Sequence, residues 1–324
     1  MQKLLAAAAL AGAAASVQVQ PAVVYELGGK FDKSFNQAAH VGAERWKQET
    51  GKPYLEFEIV NAAQREQALR RMAERGANPI VGIGFPQATA IDQVAKAFPN
   101  TRFAIVDAVV RQPNVQSFVY REHEGSFLAG MLAAMASRSG QVGFVGAMDI
   151  PLVRKFACGY EQGARHARPD VTVRTAMIGA TPAAWTDPAR GAELAKAQLA
   201  QGVDVIFAAA GTSGVGILQA TKDAGKLGIG VDSNQNAMHP GAILTSVLKR
   251  VDLAVYQAFK GVTPGITALG LAEASVGLAM DEHNAGLVTP AMRERLESAR
   301  KDIVDGRLKV VDYTVANACT PARP

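Results

Sequence analysis

From Ala22 onward the chain alternates short β-branched or aliphatic runs with amphipathic stretches of helix length, and this rhythm restricts the fold more than any other feature. Strands are expected at Ala22–Leu27, Leu55–Val60, Pro79–Gly84, Arg102–Asp107, Gln116–Tyr120, Gln141–Val145, Val171–Ile178, Asp204–Ala209, Gly228–Val231 and Ile243–Leu248. Helices fit between them, at Phe35–Thr50, Ala62–Arg75, Gln87–Phe98, Glu124–Ser137, Pro151–Ala167, Pro188–Gln201, Val215–Ala224 and Val251–Phe259. Strands separated by helices pair in parallel, so the pattern specifies doubly wound α/β sheets with helices on both faces. Punctuation agrees: Ser34 can cap the first helix, Asp187-Pro188 forms an N-cap and N1 pair, and Gly51, Gly76 and Gly202 stand where helices should stop.

At 324 residues the chain exceeds the length at which one core usually divides, and a second βα series restarts near Glu122. After Val231 come a strand, a helix, an extended piece at Thr267–Val276 and a helix at Pro290–Asp305, more than one doubly wound domain needs. Two lobes joined by several crossing strands account for this. The expected division is 19–121 plus 243–264 for lobe one and 122–242 plus 265–324 for lobe two. Ahead of them, Met1-Gln2-Lys3, the apolar run Leu4–Ala15 and Ser16-Val17-Gln18 read as a signal peptide over residues 1–18. No Cys follows that run, so a periplasmic protein without a lipid anchor is expected.

The formal charge of +5 is spread along the chain and interrupted by acids, which argues against a nucleic-acid face. Cys158 and Cys319 are compatible with one disulfide or with two separate thiols. The five histidines show no ligand spacing with either, so no metal is expected. A P-loop, a Gly-x-Ser-x-Gly elbow and a His-Glu-x-x-His pair are all absent, so no catalytic residues and no cofactor are expected. Gly211-Thr212-Ser213-Gly214 follows a strand and opens a helix but lacks dinucleotide-loop spacing; its backbone N–H groups suit a cleft.

In open α/β sheets the ligand crevice lies beyond the carboxyl ends of the strands. The loop after the first strand brings Asp32, Lys33, Ser34 and Asn36 there, with Phe35 open to either core packing or ligand stacking. Phe207, leading into the Gly211 loop, is the expected ring on the opposite wall, and the two would form a slot for a flat heterocycle. Asp107, Asp232 and Lys249 stand at other strand ends, where carboxylates suit neighbouring hydroxyls of a sugar.

Five stretches together resemble the basic membrane protein family, the purine-nucleoside receptors among periplasmic-binding-protein-like receptors. They are Gly29–Asn36, Glu122–Gly130, Val142–Pro151, Gly230–Gln235 and Thr245–Asp252. The resemblance implies a type I periplasmic-binding fold whose lobes join through a multi-strand hinge and which delivers nucleosides to an ABC permease. It also implies Phe35 and Phe207 as the stacking pair, Asn36 and Asp107 as base readers, and Asp32, Gly211, Asp232 and Lys249 as ribose contacts. A monomer that closes on a purine nucleoside is expected; a receptor for a sugar or another small polar metabolite is the alternative.

Overall fold

The computed structural model describes residues 19–319; the expected signal peptide lies outside them. The first series runs β1 Ala22–Tyr25, α1 Phe35–Thr50, β2 Leu55–Glu58, α2 Arg65–Glu74, β3 Ile80–Ile83, α3 Ala88–Ala97, β4 Phe103–Val106 and β5 Val115–Tyr120. The second runs α4 Glu122–Ala136, β6 Gln141–Met148, α5 Pro151–Ala167, β7 Thr172–Gly179, α6 Pro188–Ala200, β8 Val205–Ala209, α7 Ser213–Asp223, β9 Leu227–Asp232 and β10 Ile243–Lys249. Then come α8 Val251–Lys260, β11 Gly265–Leu269, β12 Val276–Leu278, α9 Pro290–Val304 and the short α10 Tyr313–Ala316.

Two six-stranded sheets result, ordered β11-β5-β4-β3-β1-β2 and β12-β10-β9-β8-β6-β7. Each is parallel apart from β12, which pairs antiparallel with β10 at an edge. Covering on both faces explains the uninterrupted apolar strands. In β1, Val23 and Tyr25 face one apolar cluster while Ala22 and Val24 face the other. In β8, Val205, Phe207 and Ala209 take one side, and Ile206 and Ala208 the other.

The allocation of the last strands differs from the expected boundaries. β10 lies inside the second sheet between β9 and β12, and β11 closes the first sheet beside β5. The chain therefore crosses between lobes near Arg121, near Arg250 and through 270–275. Burial gives the reason. β10 is buried along nearly its whole length, as an interior strand must be, whereas β11 is largely exposed, as an edge strand can be.

Asp187 caps α6 by accepting the Arg190 N–H, and Gly51 closes α1 in the left-handed region (φ 67°). The Ser34 side chain does not cap α1; Asp32 does that work from two residues upstream. Cys158 and Cys319 are disulfide-bonded, tying the tail to α5 of the second lobe.

Candidate functional site

The carboxyl ends of the two sheets face each other across a cleft lined from both lobes. It encloses a cavity of about 180 Å³. One water needs about 10–15 Å³ by that measure, so the space suits a molecule rather than an ion. Asp32, Phe35, Asn36 and Asp107 line it from lobe one, and Gly211, Asp232 and Lys249 from lobe two.

The loop after β1 is built around Asp32. Its carboxylate accepts the N–H groups of Ser34, Asn36 and Gln37 at 2.8, 2.9 and 3.0 Å, satisfying donors that the start of α1 leaves open. Burial nonetheless pushes this carboxyl above its ordinary range. Ser34 lies behind the cleft wall and donates its hydroxyl to Asp232 Oδ2 at 2.5 Å, across the lobes. Asn36 turns its amide inward. Its Oδ1 accepts the Glu26 N–H at 3.1 Å and its Nδ2 donates to the Glu26 and Leu27 carbonyls, so it shapes the loop before it reads any ligand.

Lys33, Asp107 and Asp232 all hold positive φ, at 62°, 70° and 63°. Such backbone is costly for residues with a Cβ, and its clustering at one cleft marks a place where geometry outranks local stability. Lys249 Nζ donates to Asp107 Oδ2 at 2.6 Å, again across the lobes. Asp107 Oδ1 is buried and lacks a donor among the described residues, as Thr212 Oγ1 lacks a partner. Burial raises the Asp107 carboxyl although Lys249 opposes the shift. Burial drives Asp232 up to about 7, with Lys249 and Ser34 pulling it down and Asp32 and Asp107 adding to the rise.

Phe207 is not on the opposite wall. It is fully buried in lobe two, with its ring 5.3 Å from Phe144, 5.5 Å from Tyr160 and 6.4 Å from Phe156. The reason is its place in β8: two residues before the strand ends, it points into the core face, and the crevice is reached only from Ala209 onward. The wall takes its rings from Phe156 on α5 and from Trp185 in the single-turn helix Pro182–Trp185. Phe35 and Phe156 approach one point from the two lobes, their ring centroids 5.2 and 5.7 Å from the Lys249 ammonium.

Sequence reasoning gave the turn at Thr212 only its backbone N–H groups, and missed the Thr212 hydroxyl, Glu26 and Arg65. Glu26 ends β1, and Arg65 opens α2 and donates its Nε to Glu26 Oε2 at 3.0 Å inside the cleft. A signal for Phe156 existed: the segment following β6 leaves another strand's carboxyl end and so belongs to the crevice.

A family model described as ABC transporter substrate-binding protein PnrA-like matches residues 20–306. The chain is 29% identical over 320 residues to the ABC transporter nucleoside-binding protein BmpA of Lactococcus lactis, covering 90% of this chain and 89% of that protein. It is 36% identical over 281 residues to an uncharacterised lipoprotein of Pyrococcus furiosus, covering 80% and 70%. A solved solute-binding protein of an ABC transporter system from Aeropyrum pernix superimposes with a TM-score of 0.82 at 28% identity, covering 91% and 93%.

Proposed function

Because the chain belongs to the PnrA-like (Bmp) family of ABC transporter substrate-binding proteins, we propose that it binds a purine nucleoside between its lobes, outside the cytoplasm, and carries it to a membrane permease. One observation carries this reading. Phe35 and Phe156, rings from opposite lobes, flank the Lys249–Asp107 pair, whose Oδ1 still needs a donor. A flat base fits between rings, and stacking of that kind contributes about 0.5–1.5 kcal/mol per ring beyond area burial. Asp232 and Thr212 then offer an acceptor and a hydroxyl to a sugar. The loss of Phe207 from the slot removes one partner but not the slot, because α5 supplies a ring in its place.

The charge of the lining argues against an anionic ligand. Glu26, Asp32, Asp107 and Asp232 face only Arg65 and Lys249 as cations, so a phosphate would meet an excess of carboxylates in a space of low polarity. BmpA, named for nucleoside binding, is the chemical precedent among the relatives. The test is mass spectrometry of whatever the purified protein releases on denaturation, followed by calorimetry. Inosine, guanosine or adenosine is expected to bind at least about a hundredfold more tightly than free base, whose missing hydroxyls leave buried groups unpaired, than free ribose, which forfeits the stacking, or than the 5′-monophosphate, which meets the excess of carboxylates. Ribose binding as tightly as nucleoside would assign the cleft to a sugar instead.

A further inference from the structure

The segment Glu122-His123-Glu124 opens α4 at the first lobe crossing, yet none of its residues lines the cleft. Glu122 is fully buried, and a carboxylate withdrawn from water persists only with charged partners. It has two. Lys155 Nζ, on α5, donates to Oε2 at 2.8 Å, and Lys249 Nζ lies 2.8 Å from Oε1 as an ion contact. Lys155 also donates to the Tyr120 carbonyl at 2.9 Å, on the last residue before the crossing. Lys249 itself ends β10 at the second crossing and reaches Asp107 on the other lobe. The result is a neutral chain of alternating charge, Asp107, Lys249, Glu122, Lys155, that runs from the cleft into the hinge. Its four side chains are 6%, 3%, 1% and 9% exposed.

We propose that Glu122 and Lys155 are positioning residues for ligand binding: together they aim the Lys249 ammonium at Asp107 across the lobes and leave Asp107 Oδ1 open to the ligand. Each oxygen is apportioned. Lys155 occupies Glu122 Oε2, Glu122 holds Lys249 only through Oε1, and Lys249 keeps a proton for Asp107 Oδ2. Without Lys155, the second Glu122 oxygen is unpaired in a medium that strengthens every charge interaction, and it competes for Lys249. Lys249 then turns from Asp107, and the closed form loses its cross-lobe ion pair. Neutralising Glu122 as well removes the competitor and returns Lys249 to Asp107. The part of this inference that concerns the ligand rests on the nucleoside reading; the part that concerns the lobes does not.

The test compares wild type, K155M and E122Q/K155M as the intact exported protein. Calorimetry reads inosine affinity, and pulsed electron resonance between spin labels at exposed Glu74 and Lys196 reads the lobe separation without added ligand. K155M is expected to weaken inosine binding about tenfold and to lengthen the separation, and E122Q/K155M to bring both back to within about threefold affinity and wild-type distance. Lys155→Gln, which keeps a donor for the Tyr120 carbonyl, replaces K155M if the latter does not fold. A double variant as weak and as open as the single one overturns the proposal, because a purely structural pair would give no rescue. Rescue of the lobe separation in a protein that binds no purine nucleoside would sink the functional reading and leave the positioning role standing.

Discussion

Asp232 carries a pH dependence whose direction follows from where it sits. With the lobes shut, burial holds its carboxyl at about 7, against an ordinary 3.8, while Lys249 and Ser34 favour the charge and Asp32 and Asp107 oppose it. A carboxyl raised in this way stabilises the closed form below its ordinary pKa, and that contribution is lost as pH climbs from about 4 to about 7. Ligand binding shuts the lobes over a carboxyl that ionises at its ordinary value while they are open, so closure takes up a proton. Affinity should therefore fall from pH 5 to pH 7, by at most about tenfold per unit, and level off above. Titration calorimetry in buffers of different ionisation enthalpy should show proton uptake below pH 7, and Asp232→Asn should abolish both effects. A wild-type affinity that is flat over this range contradicts the assignment. Asp232 was legible because it directly follows an apolar run. Phe207 was misread because nearness to a glycine loop in sequence says nothing of which sheet face a residue in mid-strand occupies, which the two-residue period decides.

At the scale of elements, α4 and α5 are pressed together through glycines. A Cβ at Gly163 would stand 1.8 Å from the Phe127 carbonyl oxygen, and one at Gly130 would stand 1.9 Å from the Tyr160 oxygen. Glycine inside a helix costs about 1 kcal/mol relative to alanine, so close approach of the backbones has to offset that loss. Gly163→Ala gains propensity but meets backbone that cannot rotate away. The clash should win, lowering stability by about 1–3 kcal/mol, a fall in melting temperature of about 2–4 °C for each kcal/mol. A thermal melt at or above wild type would show the helices free to part. The same pair sets the Glu122 to Lys155 distance, so weakened ligand binding should accompany the fall. Both ends of α1 and α5 were readable from apolar period and punctuation, since those signals are local. The close approach of α4 to α5 was not, because small residues permit contact without naming the partner.

For the whole molecule, two lobes and a multi-strand hinge follow from chain length and from the restart of the βα series, but the order of the final crossings does not. β10 and β11 are both short and apolar enough for either sheet, and only the neighbours each finds decide between them. What the sequence conceals most fully is how the lobes meet. Ser34 Oγ reaches Asp232, Ser233 Oγ donates to the Ser34 carbonyl at 2.7 Å, and Gln235 Nε2 donates to the Lys33 carbonyl at 2.9 Å. Of these, the Ser233 bond offers the cleanest probe of closure, for its hydroxyl has no second protein acceptor among the described residues. Ser233→Ala removes one hydrogen bond that exists only when the lobes are shut, worth about 0.5–1.5 kcal/mol. The open form and its encounter with ligand are untouched. Affinity should fall roughly three- to tenfold, carried by faster dissociation at an unchanged association rate, with the melting temperature of the opened protein unmoved. Stopped-flow kinetics separate the two rates. A slower association with unchanged release would mean that ligand meets lobes already closed, and hinge closure after encounter would have to be abandoned.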